Sequence, residues 1–454
     1  MRHFRQVAAL AAFGSLIACS GDQPTGTHAP PFNPRITSTP QWAGGVVEVT
    51  ASLFTGAEPL PVLTAGTQTL VVRRVGDSTV AARMPALGGT YSLQVTEGVA
   101  STNLGPISLA GFREELVGPI MSGQVTRVNP DSAGAPIVFS SGDSGGVLVN
   151  LSTNTIVGTV PESVTSPDCS MSPGSSYRGA GYYTLQGETG GTCGPIHSWQ
   201  VYPTLVRQDS SPIFAGQQWY VIAEVGPKRW FSSWNNHSHV YDCTGASCTD
   251  LMFGDPSGPN AVTIAPGDGK FTWTAQDLHG AVLNVNGFDT AFALPANTSM
   301  SGAVFSPGGD TLFFHGMLSN GGSSTQHLGA VRVSDGAVVH DLSVDSIGFG
   351  RSASSTGSVA LDPGHPWLYA VVTLPGVPGN TLNRPALVVL DRSTWSVIGV
   401  AMAPALSAEA YNDWIFNSTS IVPDPANHHV YVVATDYLYD VHQHHGAIVV
   451  FDTP

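Results

Sequence analysis

Val304-Phe305-Ser306-Pro307-Gly308-Gly309-Asp310-Thr311-Leu312-Phe313-Phe314 joins one apolar run to another through a proline-centred turn. Proline suits such a turn because its φ is preset and it needs no ladder partner there. The phrase recurs as Val262-Thr263-Ile264-Ala265-Pro266-Gly267-Asp268-Gly269-Lys270-Phe271-Thr272-Trp273. Looser copies centre on Pro363, before Trp367-Leu368-Tyr369, and on Pro425, before Val430-Tyr431-Val432. A second phrase follows each first one: two apolar strands across a short polar turn. Its clearest form is Ala386-Leu387-Val388-Val389-Leu390-Asp391-Arg392-Ser393-Thr394-Trp395-Ser396-Val397-Ile398-Gly399-Val400. Other copies begin near Val147, Val240, Ala281 and Ala330, with a weak one near Ile196. A strand pair plus a hairpin makes a four-stranded unit, and units roughly 40 to 60 residues apart have the period of propeller blades.

The two phrases resemble those of YVTN and WD-repeat-like β-propellers, in which "SP-G-LYV" segments mark the first two strands of a blade. The resemblance runs from Gly111 to Pro454 and implies an all-β ring. Counting hairpin starts gives seven blades, with six and eight as the neighbouring counts. The chain's end, Gly446-Ala447-Ile448-Val449-Val450-Phe451-Asp452-Thr453-Pro454, supplies a third strand and then stops. An unmatched strand over 112–121, Phe112 to Met121, precedes the first blade. Pairing the two closes the ring and removes an open edge.

Residues 1–19 read as a targeting segment and stand apart from the fold. Arg2 and Arg5 give a positive start, and Val7 to Ile17 is apolar but too short for a spanning helix. Leu16-Ile17-Ala18-Cys19 resembles the lipobox of bacterial lipoproteins, which implies acylation at Cys19; an ordinary secretory signal cleaved nearby is the alternative. Ser20, in place of an Asp, implies an outer-membrane address in that family. Residues 20–34 (SGDQPTGTHAPPFNP) read as a flexible tether. No later apolar run reaches spanning length, so any membrane contact is expected through the lipid alone.

Residues 35–110 carry strand-like runs at Val46–Thr50, Thr69–Arg73, Ser78–Ala82 and Thr90–Val95, the spacing of a small β-sandwich. Phe54 to Gly66 carries no strand signal. Pro34-Arg35-Ile36-Thr37-Ser38-Thr39-Pro40, Gly44-Gly45, Pro85 and Gly89-Thr90-Tyr91-Ser92-Leu93-Gln94-Val95 resemble the IPT/TIG family of immunoglobulin-like domains. That resemblance implies a spacer or interaction module, and a spacer is the expectation. The whole is thus expected to be all-β: a small Ig-like sandwich (35–110), then a propeller (111–454).

Charged residues are only 11% of the 454, while Gly (52) and Pro (33) are frequent. With 42% hydrophobic residues this composition fits many short strands better than disorder. The net charge of −15 and the absence of any basic block exclude nucleic acid as a partner class. After Cys19 four cysteines remain, an even number that in an exported chain reads as disulfides. Cys243 and Cys248 flank a hairpin turn and pair; Cys169 and Cys193 pair by elimination. No Cys-x-x-Cys is present, which disfavours a zinc ribbon.

Gly142-Asp143-Ser144-Gly145-Gly146 looks like the nucleophile loop of trypsin-like proteases. A serine without an oriented base is inert, and upstream histidines exist only at His3 and His28. A tight turn between two strands is the better reading, and no catalytic residue is assigned. Asn236-His237-Ser238-His239 and His442-Gln443-His444-His445 hold i, i+2 pairs that on a strand offer two metal ligands each. No acid stands at a ligand spacing, so no metal or other cofactor is expected. Trp230, Phe231 and Trp234 beside Lys228 and Arg229 read as a loop in the third blade; Arg229, Trp230 and Trp234 are the candidate binding residues.

Long connections gather at one end of the blades: between blades (Ser343 to Gly357, Ala403 to Ser418) and between second and third strands (Ser319 to Leu328, Leu374 to Pro385, Thr435 to Gly446). Insertions on one face mark a binding face. The expectation is an envelope binding protein presenting that face to a protein or glycan. A lactonase- or lyase-like enzyme at the channel mouth and a structural part of an envelope complex are the alternatives.

Overall fold

Along the strand Trp367–Leu374 every second side chain enters a different core. Trp367, Tyr369 and Val371 join one cluster; Leu368, Ala370 and Val372 join another. A strand that is apolar at consecutive positions must be covered on both faces, and the neighbours in the chain supply the cover. One cluster adds Phe313, Leu328 and Ala330 from the preceding sheet, the other Ile421, Val430, Val432, Val449 and Phe451 from the following one. Sheets stacked face to face in chain order in this way form a propeller.

The computed structural model describes residues 32–51, 59–120, 125–129, 134–142, 145–160, 175–178, 181–186, 197–210, 220–226, 229–234, 237–242, 249–253, 263–264, 270–274, 280–284, 289–293, 298–320, 323–347, 358–374, 384–403, 414–415, 421–436 and 446–454. Among them the ring comprises seven successive antiparallel sheets, the first six built as up-and-down runs of four strands. The second strands are Ile137–Gly142, Gly181–Gln186, Arg229–Trp234, Lys270–Thr274, Thr311–Asn320, Trp367–Leu374 and His429–Asp436. Each third strand pairs with its second in continuous or nearly continuous register.

In the seventh sheet the outer strand comes from far upstream: Phe112–Gly118 lies antiparallel to Gly446–Asp452, with Leu116 opposite Ile448. The seventh sheet also packs on the first, where Tyr431, Val433, Ile448 and Val450 meet Val125, Val138, Val147 and Val149. First and last sheets therefore share a seam as the fifth and sixth and the sixth and seventh do.

The hairpins between third and fourth strands repeat one design. Register slips by one residue at Leu148/Val149, Ala330/Val331 and Val389/Leu390. An aspartate or asparagine oxygen caps the turn: Asn150 Oδ1 accepts from the Ser152 amide at 3.0 Å and Asp391 Oδ1 from the Ser393 amide at 2.8 Å. The turn closes on a left-handed residue, Asn154 (φ 53°), Gly336 (φ 69°) or Trp395 (φ 51°).

Residues 35–109 form two four-stranded sheets. One runs Arg35–Ser38, Val46–Thr50, Thr79–Arg83, Val72–Gly76; the other Gln68–Thr69, Val62–Ala65, Gly89–Glu97, Ala100–Leu109. Val47, Val49 and Val80 face Leu63, Leu93 and Val95 across the core. The segment 54–66 does contain a strand, Val62–Ala65, because its inward positions Leu63 and Ala65 alone suffice to bury one face.

The sandwich is not a free-standing module but is docked on the ring. The sandwich core and the seam between the sixth and seventh sheets are one continuous cluster. Trp42, 1% exposed, stands edge-on to Trp367 (5.7 Å) and Tyr369 (6.2 Å). Backbone bonds run from Val400 N to Ala43 O (2.7 Å), Met402 N to Ala86 O (2.9 Å) and Asp452 N to Gly111 O (2.8 Å). The sandwich therefore covers the outer edge of the sixth sheet, which the pairing rules would otherwise leave open.

Candidate functional site

The fifth sheet carries a polar cluster in the half that points toward the long connections. Its hairpin is longer than expected: Thr311–Asn320 and Ser323–Arg332 pair through to Asn320 opposite Ser323. Ser319 to Leu328 is therefore mostly strand and not a long connection. The Ser-Ser-Thr-Gln run at 323–326 carries no apolar alternation, yet it extends an existing ladder whose partner is already in register.

One pair and one row of three side chains define the cluster. His315 is fully buried and its Nε2 lies 3.1 Å from Gln326 Oε1, so the neutral ring donates to the amide oxygen. Burial pushes the His315 imidazole down to about 4, against a smaller upward pull from Gln326. On the opposite face of the strand, Thr325 Oγ1 lies 2.9 Å from His327 Nε2, and His327 Nδ1 lies 2.8 Å from Asp341 Oδ1. With Nδ1–H donating to the carboxylate, Nε2 accepts from the threonine hydroxyl. The row has the polarity of a hydroxyl–base–acid relay. It also ties the third strand to the fourth.

His315 predicts a pH dependence. Its unfolded imidazole titrates near the ordinary 6.5, the folded one near 4. Between those values the unfolded chain holds the extra proton, so stability is full above about pH 6.5. It falls by on the order of 3 kcal/mol as pH drops through the window, and flattens below. Denaturant titrations of wild type and His315→Leu at several pH values check this. The variant should lose that slope.

An aromatic stack missed by the sequence reading lies at the opposite end of the fifth and sixth sheets. Trp395 packs between His340 (4.5 Å, 13°) and Phe313 (6.4 Å, 19°), and the Arg392 guanidinium sits 5.7 Å from the Phe313 ring centre. A tryptophan in left-handed backbone is uncommon. Here the stack holds it in the position that asparagine and glycine take in the sister turns. The Asp391-Arg392-Ser393-Thr394-Trp395 pattern was visible, but not its partner His340 from another sheet.

Arg229, Trp230 and Trp234 lie in a strand, the second of the third sheet, with Trp230 opposite Tyr241 and Trp234 opposite His237. The loop reading is corrected by lengths: the connections on either side are the two-residue segments 227–228 and 235–236, so the six residues between them are needed to span the sheet. His237 and His239 belong to the next strand, His237–Asp242. Gly142 pairs with Gly145 at the end of the ladder between the second and third strands of the first sheet. Residues 143 and 144, Cys19, Cys169, Cys193, Cys243, Cys248 and the histidines at 442, 444 and 445 lie outside the described residues. Among the described residues no three His, Cys, Asp or Glu side chains gather to hold a metal, and no helix is long and apolar enough to cross a membrane.

No protein-family model matches the sequence, and no curated protein is similar to it. Among solved structures, the crystal structure of the Myceliophteria thermophila Cps50 (Swd1) beta-propeller domain is similar at a TM-score of 0.49 and 10% identity. The similarity covers 76% of this chain and 100% of that one.

Proposed function

We propose that this protein is an interaction scaffold of the bacterial cell envelope, lipid-anchored at Cys19, whose seven-bladed propeller offers its long-connection face to a protein or glycan. The observation that carries the reading is the packing of the ring. Among the described residues, the first, sixth and seventh sheets bury both faces against neighbouring sheets, and the outer edge of the sixth is covered by the sandwich. Surface free for a partner is then concentrated at the two ends of the ring. The paired strand ends Leu374 and Arg384, and Thr435 and Gly446, lie at one of these ends. The other carries short, self-capped turns.

Photo-crosslinking in native envelopes tests this. A probe at Ser319 or Asn320, on the long-connection end, should yield one adduct of constant mass. A probe at Asp335, in a short turn, should yield none. Equal adducts from both ends, or none from either, would reject the assignment. The anchor is checked separately: the mass of the mature N-terminal peptide should include acyl chains on Cys19, and a chain starting at Ser20, exported behind a cleavable secretory signal, should be released from membranes.

Cys243 and Cys248 are read as a disulfide. The strands beside them end with Asp242 opposite Thr249, so the cysteines are the next positions outward on each side. Peptide mapping without reduction should find them joined, with Cys169 joined to Cys193. The small loop limits the stabilisation to less than the roughly 3 kcal/mol of a 15-residue loop.

An enzymatic reading is favoured by one observation, the Thr325–His327–Asp341 row. An activated hydroxyl should form a covalent adduct with a fluorophosphonate at Thr325, abolished by His327→Gln. An unmodified chain after prolonged incubation excludes it.

A further inference from the structure

The sandwich has two ends, and register separates them. Val46 opposite Arg83 and Gly89 opposite Leu109 lie at the docked end, beside Ala43, Ala86 and Gly111. Thr50 opposite Thr79, Val62 opposite Thr96 and Glu97 opposite Ala100 lie at the far end. From Ala110 back to Ser101 the strand rises about 3.3 Å per residue, so the far end stands about 30 Å from the ring.

That far end gathers exposed apolar side chains. Gly98 (φ 57°) and Val99 form the two-residue turn joining Gly89–Glu97 to Ala100–Leu109, and Val99 is fully exposed at its tip. A glycine in the first central position suits a type II′ hairpin, and the second position tolerates any polar residue. Valine there serves no core. Leu60 (44%), Val62 (48%) and Val75 (46%) are exposed near the same end, whereas Val71 (86%) and Leu87 (48%) are exposed toward the docked end. Single exposed apolar residues are ordinary, but a group at one projecting tip marks a contact surface.

The path of the chain says what lies opposite. Arg35 pairs with Thr50, so the segment leading from Cys19 joins the sandwich at this far end and not at the docked end. Charge divides the same way. Residues 35–110 hold four acids and four bases, whereas residues 111–454 hold 27 acids and 11 bases, a net −16. An anionic surface repels the ring and not the sandwich.

We infer that the far tip of the sandwich, centred on Val99 with Leu60, Val62 and Val75, rests in the interfacial layer of a lipid bilayer and holds the propeller away from it. The inference rests on the envelope reading but not on acylation itself. With the sandwich fixed to the ring by Trp42 and the backbone bonds of Val400 and Met402, the tip contact would also set the ring's orientation to the membrane, which a tether alone leaves free.

The test uses the chain starting at Ser20, which lacks both the targeting segment and the lipid, mixed with vesicles of phosphatidylethanolamine and phosphatidylglycerol and sedimented. The protein should partition weakly onto the vesicles. Val99→Asp should reduce partitioning about tenfold, the effect of losing one buried aliphatic side chain. Val338→Asp, at an exposed valine on the propeller rim, should leave it unchanged, and matching melting temperatures will show that both variants fold. Partitioning of Val99→Asp equal to the parent, or no partitioning by the parent, overturns the inference. Absence of acyl chains on Cys19 in the native protein would instead remove the anchor while leaving the vesicle result to stand.

Discussion

Replacing Trp42 with alanine is expected to destabilise the sandwich and the propeller together, by about 3–5 kcal/mol, the range for emptying a large buried aromatic site. Trp42 belongs by sequence to the sandwich, but its ring stands among Trp367 and Tyr369 of the sixth sheet. Gly399 makes room for it, since a Cβ at that position would overlap the Trp42 Cβ. Gly399→Val should therefore expel the indole and cost a comparable amount, with no cavity involved. Chemical denaturation followed by sandwich and propeller probes separately should show both moving to lower denaturant by the same amount. If the sandwich unfolded earlier in Trp42→Ala while the ring kept its midpoint, the shared core would contribute nothing to the ring.

Much of this fold is legible in the residues. The third-strand runs near Val147, Ala330 and Ala386 are apolar at consecutive positions, the mark of a sheet covered on both faces, and each is a third strand. The need for an outer strand at the C-terminus follows from counting, and Phe112–Gly118 fills it. Other elements leave no such trace. Only Ile107 and Leu109 of the strand Ala100–Leu109 are buried, so its Ser-Thr-Asn pattern reads as loop, although Thr90–Ser108 and Gln94–Ser101 side-chain bonds lace it to its neighbour. Thr69–Arg73 reads as one strand but changes sheets within the run, since Gln68–Thr69 and Val72–Gly76 belong to different ones. The polar row Thr325–His327–Asp341 spans two strands, and only register brings its third member in. The docking of the sandwich depends on the shape of one tryptophan and one glycine 357 residues apart, 42 and 399, which no local pattern connects.

Shortening the chain from its beginning should have two distinct effects. A chain starting at Gly111 keeps every strand of the ring but loses the sandwich. Val400 N and Met402 N then lose Ala43 O and Ala86 O, and Trp367 and Tyr369 lose the indole that covers them. An open edge beside a bared aromatic surface templates association, so this chain should fold but melt early and self-associate at high concentration. A chain starting at Ser122 also loses Phe112–Gly118. That strand pairs with Gly446–Asp452 at six positions, sets Phe112 edge-on to Phe451 at 6.3 Å, and lays Leu116 on the seam between the seventh and first sheets. Without it the seventh sheet ends in an unpaired apolar strand, Ile448 to Phe451, at the seam where the ring closes. The shorter chain should have no cooperative melting transition and should be recovered mainly as aggregate. Scanning calorimetry and light scattering on the full chain and both shortened ones give the comparison. Equal transitions for the chains starting at Gly111 and Ser122 would mean that the seventh sheet needs no outer strand, and that the seam packing of Tyr431, Val433 and Val450 against the first sheet closes the ring unaided.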